Sequence, residues 1–568
     1  MTGDKIQVCN LISAGDREYR NQFYQEEKVM RLSDIECNQK EQWAAAGIKL
    51  PGFNRKAMKE ATRACPQWVH FGAGNIFRAF PAALQQKLLN EGIEKTGIIV
   101  AEGYDYEIIR KAYRLQDDLS LLVTLKSNGT IEKTVIASVA ESLTVDRQDE
   151  EDWSRLQEIF ASSTLQMVSF TITEKGYSIY APDGSFRLEV QKDFEAGPYK
   201  ADSYMGKLAA LCYWRYTHSG TPLSLVSMDN CSHNGDKLFA AVDAYAKAWT
   251  ERGLADKGFL AYIENPETVA FPWSMIDKIT PRPDGSVKKM LEECGFTDTE
   301  SVITSKNTYV APFVNAEETE YLVIEDAFPN GRPALERAGV IFTTRDTVER
   351  VERMKVCTCL NPLHTALAVY GCLLGYTKIS EEMKDEDLVK MVELIGYREG
   401  LPVVTDPGIL SPRKFIDEVL QIRVPNPFMP DTPQRIACDT SQKLSIRFGE
   451  TIKEYMARSK LDATALRFIP MVQAGWCRYL LGVDDEGNTF TVSPDPMYES
   501  LAKQLEGVRI GEACDVHEAL SPILSDARIF GVNLYEAGLG NYVEEVFAEL
   551  IAGKGAVRAT LKKHLSEA

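Results

Sequence analysis

The chain has 568 residues, which is too many for one compact core, so we expect two or three domains. Its composition, 44% hydrophobic and 26% charged, is that of an ordinary globular protein. The formal net charge of −18 argues against nucleic acid or an anionic membrane as the main partner, because both favour a basic surface. A small anionic substrate remains compatible with this charge, since it needs only one local cationic pocket.

The twelve cysteines are scattered without regular spacing, which indicates reduced thiols in a cytoplasmic protein. The first residues, MTGDKIQVCNLISAGDREYRNQ, lack the basic-then-apolar pattern of a secretory signal. The longest apolar run, TALAVYGCLLGY, is shorter than the roughly 20 residues that span a bilayer. We therefore expect a soluble cytoplasmic protein.

Three regions follow one another along the chain. Residues 1–66 are polar and charged, and they predict an N-terminal extension that packs on a later domain. In 67–340, buried-strand candidates (WVHF, TGIIVAEG, LQMVSFTIT, PLSLVSMDN) alternate with helical spacing such as AFPAALQQKLLN. This alternation predicts a parallel sheet with crossover helices. Residues 341–568 show mainly helical patterns interrupted by prolines, which predict a helical C-terminal domain.

The glycine loop Gly72-Ala73-Gly74 follows a strand candidate and precedes a helix candidate. The first glycine would permit a tight turn, and the second would let the backbone approach a pyrophosphate. Phe77 occupies the place of the usual third glycine, so the loop alone fits a structural turn as well as a cofactor loop. Glu102 ends the second strand candidate, where a carboxylate would bind ribose hydroxyls and favour NAD over NADP. Its alternative interpretation is a solvated charge at a strand end.

Seven segments, read in order, resemble the polyol-specific long-chain dehydrogenase/reductase family over roughly residues 66–550: FGAGNIFRAF, TITEKGY, SMDNCSHNGDKL, FPWSMIDKITPRP, YLVIEDAFPNGRPALERAGVIF, LNPLHTALAVYGCLLGY and NPFMPDTPQRIACDTSQKL. The resemblance implies an α/β Rossmann-type N-terminal domain with a mainly α-helical C-terminal domain. It also implies metal-independent hydride transfer with NAD(H). Arg78 matches the arginine that follows the family's glycine loop. The expected cofactor-binding residues are Gly72, Gly74, Asn75, Arg78, Glu102 and Thr173.

Reduction of a ketone requires a group that polarises the carbonyl oxygen and a group that protonates it. Asn361 and His364 stand three residues apart and would share a helix face, with Asn361 as N-cap and Pro362 as the first helical residue. The resemblance implies that Lys355 is the general acid/base, which requires burial or a nearby cation to lower its pKa toward neutrality. Asn361 and Asn230 would donate hydrogen bonds to the substrate oxygen.

In the family pattern the lysine precedes the asparagine by five positions, whereas Lys355 precedes Asn361 by six. On a continuous α-helix the extra residue would turn the lysine by about 100°. Because the predicted helix begins at Asn361, we expect the extra residue to fall in a non-helical join. Lys175 is the alternative general acid/base.

The remaining site residues would recognise the substrate. His364 and Asp277 are expected to hold its hydroxyls, and Arg423, Arg435 and Lys443 are candidates for binding a carboxylate. The favoured substrate is a keto-sugar acid, with D-fructuronate reduced to D-mannonate. The alternatives are a neutral hexitol such as mannitol, tagaturonate, or a nucleotide-binding protein without catalysis. We expect a small-molecule substrate and no metal, nucleic acid or membrane partner; the oligomeric state stays open.

Overall fold

The computed structural model describes residues 29–35 and 40–567. Its strands are numbered in chain order: β1 Ile48–Lys49, β2 Trp68–Phe71, β3 Ile98–Glu102, β4 Ser120–Leu125, β5 Ile131–Ile136, β6 Val139–Thr144, β7 Met167–Phe170, β8 Leu223–Ser227, β9 Val269–Ala270, β10 Ser274–Asp277, β11 Val302–Ile303, β12 Tyr309–Val310, β13 Phe313–Glu317, β14 Tyr321–Glu325 and β15 Ile341–Thr343.

The α-helices that precede or accompany these strands are α1 Lys40–Ala45, α2 Arg55–Ala64, α3 Asn75–Ala79, α4 Pro81–Asn90, α5 Tyr106–Ile108, α6 Glu150–Ala161, α7 Glu174–Tyr177, α8 Leu188–Ala196, α9 Tyr204–His218, α10 Asn234–Glu251, α11 Lys257–Glu264 and α12 Gly285–Glu293. After the last strand come α13 Arg345–Met354, α14 Asn361–Leu373, α15 Ile379–Glu382, α16 Glu386–Glu393, α17 Pro412–Glu418, α18 Pro433–Ile436, α19 Glu450–Ala457, α20 Phe468–Tyr479, α21 Tyr498–Gln504, α22 Val516–Leu524, α23 Ala527–Phe530, α24 Gly540–Leu550 and α25 Ala556–Ser566.

The largest sheet has six strands in the order β6-β3-β2-β7-β8-β9, and every neighbouring pair is parallel. Counted by their own chain order these strands run 3-2-1-4-5-6, which is the order of the Rossmann fold. The four strands predicted from the sequence are β2, β3, β7 and β8, and all their residues are buried. The predicted Rossmann-type domain is thus confirmed, and its switch point lies between β2 and β7.

His70 of β2 explains why Phe77 can replace the third glycine of the loop. The imidazole is fully buried, with Nδ1 2.6 Å from Ser169 Oγ and Nε2 2.8 Å from Thr171 Oγ1. Its ring stacks on Phe77 with the centroids 4.3 Å apart, so strand and helix meet through two aromatic rings. Burial lowers the pKa of His70 to about 3, and the ring is therefore neutral in this packing.

Smaller sheets flank the Rossmann sheet. One has the order β1-β5-β4-β13 and another β10-β14-β15. Strand β1 comes from the expected N-terminal extension and pairs parallel with β5, so this part of the extension is built into a sheet. Residues 1–28 and 36–39 of the extension lie outside the described residues. The strand-containing part ends with β15 at Thr343, and α13 begins two residues later.

The C-terminal part is built almost wholly from helices around α14, which is buried along most of its length. Among the described residues, one helical run, Arg345–Leu373, has the length and mean hydropathy of a membrane span. In its most apolar window 83% of the residues are buried inside the protein. The apolar character of this run is therefore accounted for by packing against the other C-terminal helices.

Arg423 of the helical part forms ion pairs with two carboxylates of the strand-containing part. Its guanidinium donates to both oxygens of Asp277, at the end of β10, over 2.5 and 2.7 Å, and to Glu317 Oε1, at the end of β13, over 2.9 Å. The three side chains are each 5% exposed or less. Burial would raise the pKa of Asp277, but Lys355 and Arg423 together lower it to about 2. Burial raises the pKa of Glu317 to about 7, against the attraction of Arg423.

Removing the Arg423 guanidinium should destabilise the fold strongly, because Asp277 and Glu317 would stay buried without the cation that pairs with both. We expect Arg423→Met to lower the free energy of unfolding by about 3–5 kcal/mol in urea titrations at pH 7. The matched control is Arg435→Met, because Arg435 is 61% exposed and pairs with Asp431; it should cost about 1 kcal/mol or less. Equal losses for both variants would contradict this role of Arg423.

Candidate active site

A cleft of about 590 Å³ opens at the carboxyl ends of β2, β3 and β7, and both loop glycines line it. Gly72 has φ +105°, and a Cβ there would lie 2.3 Å from the carbonyl oxygen of Thr171, so only glycine fits. Around a Cβ on Gly74 no atom would lie within 4 Å, so the backbone at this point is open to a ligand. The two glycines thus serve the two different purposes that a dinucleotide loop requires.

Glu102 lines the same cleft and holds the glycine loop in place. Its Oε2 accepts from the backbone N–H of Ala73 over 2.9 Å, and its Oε1 accepts from those of Tyr104 and Asp105 over 2.7 and 3.1 Å. Burial raises the pKa of Glu102, and these three N–H groups oppose that rise. A carboxylate has about four acceptor positions, so one remains for a ribose hydroxyl.

The other expected cofactor residues differ in their placement. Thr173 lines the cleft, where Asp229 Oδ1 accepts from its backbone N–H over 2.9 Å. Arg78, by contrast, is 1% exposed, and its guanidinium donates to Asn75 Oδ1 and to the carbonyl oxygen of Ala311. Arg78 and Asn75 therefore brace the helix after the loop, and the guanidinium of Arg78 is occupied by protein partners; that these two residues also bind the cofactor stays a prediction. The open backbone at Gly74 and the free acceptor position of Glu102 fit a dinucleotide.

A second cavity, of about 330 Å³, contains the expected catalytic lysine and both asparagines. Lys355 Nζ lies 3.0 Å from Asp277 Oδ1 and 3.4 Å from Asn230 Oδ1. Asn361 lines the same cavity. The cavity thus brings together three distant parts of the chain, with Asn230, with Asp277, and with Lys355 and Asn361. Lys175, the alternative lysine, lines the nucleotide-sized cleft instead.

The extra residue between Lys355 and Asn361 is absorbed by a π-helical turn, Lys355–Cys359. The backbone N–H of Leu360 donates to the carbonyl oxygen of Lys355 over 3.1 Å, an i to i+5 bond that encloses one more residue than an α-helical bond. The expected non-helical join is therefore reduced to Leu360, and the rest of the join is π-helical. The expected N-cap is wrong: Leu360 holds that position without a side-chain cap, and Asn361 is the first residue of α14.

Two substrate-binding expectations change because the side chains already have partners. Both oxygens of Asp277 are engaged by Lys355 and Arg423, so Asp277 is placed as a counter-ion and not as a receptor for substrate hydroxyls. Arg423 lines the cavity, but its guanidinium is shared between Asp277 and Glu317 and is not free for a substrate carboxylate.

Lys443 donates to the carbonyl oxygen of Cys438, and Arg435 pairs with Asp431. Neither side chain lines the nucleotide-sized cleft, the lysine cavity or a third, smaller cavity beside His364. Both belong to the segment that follows α17, close to the surroundings of His364.

His364 lines a small cavity of about 60 Å³ that shares Leu360 and Arg423 with the lysine cavity. Its Nε2 lies 3.7 Å from Asp431 Oδ2. Burial lowers the pKa of His364 to about 4; Asp431 opposes this shift, while Arg447, Arg423 and Arg435 add to it. His364 is therefore neutral near pH 7 and can donate or accept a hydrogen bond. No sequence pattern points to Asp431, Arg447 or Glu317, because their importance depends only on their neighbours in space.

Comparison with known proteins agrees with this architecture. The family model of the mannitol dehydrogenase Rossmann domain matches residues 66–337, and that of the mannitol dehydrogenase C-terminal domain matches residues 347–549. The chain is 51% identical over 536 residues to a D-mannonate oxidoreductase of Thermotoga maritima, covering 94% of this chain and 99% of that protein. It is 28% identical to a mannitol 2-dehydrogenase of Cereibacter sphaeroides, over 80% of this chain and 87% of that one.

Two solved structures share the fold. A mannitol 2-dehydrogenase of Pseudomonas fluorescens, in a ternary complex with NAD and D-mannitol, is 26% identical with a TM-score of 0.66 and covers 94% of this chain and 99% of its own. A substrate-free D-sorbitol dehydrogenase is 24% identical with a TM-score of 0.77, covering 94% of this chain and 100% of its own. The chain belongs to the mannitol dehydrogenase family, with the family's Rossmann domain followed by its C-terminal domain.

Proposed function

We propose that this protein is an NAD-dependent oxidoreductase that interconverts D-fructuronate and D-mannonate. The observation that carries the proposal is the position of Lys355, buried against Asp277 and Asn230 in the second cavity. Asp229 of that cavity accepts a hydrogen bond from the backbone of Thr173, which lines the nucleotide-sized cleft, so the two spaces are neighbours. The substrate class follows from the 51% identity to a D-mannonate oxidoreductase over nearly the whole of both chains. The ten cysteines in the described part of the chain are all unpaired, which supports a cytoplasmic location.

In the reductive direction Lys355 would deliver the proton. When bound, the nicotinamide supplies the hydride, and the substrate oxygen gains negative charge. The Lys355 ammonium would protonate that oxygen, while Asp277 holds the ammonium in place by the 3.0 Å contact. Asn230 turns its Oδ1 toward Lys355, which leaves its amide N–H groups to donate to the substrate oxygen together with those of Asn361. In the oxidative direction the same groups act in reverse.

The cofactor would be held by the glycine loop and by Glu102. The open backbone at Gly74 lets the pyrophosphate approach the start of α3, and the free acceptor position of Glu102 receives a ribose hydroxyl. A 2′-phosphate would meet the carboxylate of Glu102 directly, which disfavours NADP.

A neutral hexitol is the second candidate substrate. The observation in its favour is the shared fold with the mannitol 2-dehydrogenase that was solved with NAD and D-mannitol. NADH oxidation with D-fructuronate, tagaturonate and D-fructose separates the alternatives. Our proposal requires the highest kcat/KM on D-fructuronate; a higher value on D-fructose would show that the protein is a hexitol dehydrogenase.

Lys355→Ala should lower the rate of hydride transfer by about 100-fold or more, because the proton donor is lost. NADH affinity should stay unchanged, since the nucleotide-sized cleft does not include Lys355. Added primary amines should restore part of the rate by filling the space that the lysine leaves. Stopped-flow measurement of NADH oxidation checks these outcomes.

Two further variants are the controls for this prediction. Asn361→Ala should lower the rate by a comparable factor but should not be rescued by added primary amines, because an amide polarises the oxygen without supplying the proton. Lys175→Ala should keep the rate within about threefold of the wild type, far below the loss expected for a general acid. A near-normal rate in Lys355→Ala together with a large loss in Lys175→Ala would assign the role to Lys175.

Wild-type protein should bind NADH more tightly than NADPH in fluorescence titrations. Glu102→Gln should weaken NADH binding by about tenfold and reduce the preference for NADH over NADPH. The reason is that an amide nitrogen cannot accept the hydrogen bonds that the carboxylate accepts from the backbone N–H groups of the loop. The matched control is Glu189→Gln, since Glu189 lines the same cleft but is 57% exposed and leaves the glycine loop untouched. Preference of the wild type for NADPH would show that Glu102 does not face the ribose.

A further inference from the structure

Arg447 is a partly buried arginine that lacks a carboxylate partner. It lies in the π-helical turn Ser445–Gly449, directly after the DTSQKL segment. Its guanidinium donates to Thr365 Oγ1, and no ion pair joins it to any carboxylate in the part of the chain that the structure describes. Burial lowers its pKa to about 10. A buried cation without a counter-ion is costly, so binding of an anion here would relieve that cost.

Arg447 contacts the helix that carries Asn361 and His364. Thr365, its hydrogen-bond partner, is the residue after His364 on α14, and Thr365 Oγ1 donates to the carbonyl oxygen of Asn361 over 2.8 Å. The charge of Arg447 also contributes to the low pKa of His364, so the two side chains are within electrostatic reach. Arg447 therefore stands on the His364 side of the site, away from the contact between Lys355 and Asp277.

Lys443 adds a second cation without a carboxylate partner. It precedes Arg447 by four residues, and the backbone N–H of Arg447 donates to its carbonyl oxygen. Burial lowers the pKa of Lys443, and the nearby charge of Arg447 lowers it further. Arg423 and Arg435, the other cations around His364, are already paired with carboxylates. Lys443, however, has its ammonium on the carbonyl oxygen of Cys438 and feels the charges of Asp439 and Asp495, so Arg447 is the cation beside His364 that an added anion would stabilise most.

We propose that Arg447 binds the carboxylate of the sugar acid and so selects it over a neutral hexitol or ketose. This inference rests on the proposed function. In a hexonate the carboxylate ends the carbon chain, several carbons from the reacting hydroxyl, which suits a receptor beyond His364 better than one beside Lys355. The planar guanidinium can offer two parallel N–H groups to the two carboxylate oxygens.

The test compares Arg447→Gln with the wild type on two substrates that differ in charge. For D-fructuronate we expect KM to rise by about 100-fold or more, the effect of removing one partner of a buried charge pair, with a smaller change in kcat. For D-fructose both constants should stay within about threefold, because a neutral substrate does not use the guanidinium. For Arg447→Lys, the KM for D-fructuronate should lie between those of the wild type and Arg447→Gln, since lysine keeps the charge but lacks the two parallel N–H groups.

Arg353→Gln is the matched control. Arg353 lies on α13 just before Lys355, but it is paired with Glu450, so its loss should leave both substrates unaffected. NADH affinity and the thermal midpoint confirm that each variant is folded. If Arg447→Gln does not fold, Arg447→Lys must by itself show the selective rise in KM for D-fructuronate. Unchanged KM for D-fructuronate, or equal losses on both substrates, would overturn the inference while the proposed function stands. A wild type inactive on D-fructuronate would overturn both.

Discussion

The contact of Asp277 with two cations is the interaction on which the arrangement of this enzyme depends. Lys355 and Arg423 both bind its carboxylate, and Arg423 also binds Glu317, so four buried charges alternate in sign. The lysine comes from the helix that begins the C-terminal part, whereas both carboxylates end strands. The same contact therefore joins the two parts of the chain and orients the ammonium toward the cavity. Because these groups are buried, loss of Asp277 would leave two buried cations without their shared partner, and loss of Arg423 would leave Asp277 with Lys355 alone.

The sequence predicted those features whose signal is local. Each strand of the Rossmann sheet that was named in advance is a short apolar run that ends near a glycine or a polar cluster, and the structure buries it on both faces. The glycine loop could be placed because a strand precedes it and a helix follows. The replacement of the third glycine by Phe77 could not be understood from the sequence. It depends on His70, whose ring stacks on Phe77 only once strand and helix are packed.

The chemistry of individual charged side chains was less predictable. Arg423 was a reasonable candidate for binding a substrate carboxylate, yet its partners lie 146 and 106 residues earlier in the chain and already occupy it. Asp277 changed from a substrate ligand to a counter-ion for the same reason. No sequence pattern singled out Arg447, because its significance is that no carboxylate among the described residues forms an ion pair with it. A missing partner is a property of three-dimensional surroundings, which spacing along the chain does not encode.

The π-helical turn before α14 also bears on how relatives of this enzyme are compared. A hydrogen-bonded ring with one extra residue lets a helix gain or lose a position while the segments on either side keep their directions. Motif searches that require a fixed interval between the lysine and the asparagine would therefore pass over chains of this kind. An alignment that places its gap within residues 356–359 keeps Lys355 and Asn361 in register with relatives of the shorter spacing. Deleting one residue from that interval offers a way to convert one spacing into the other.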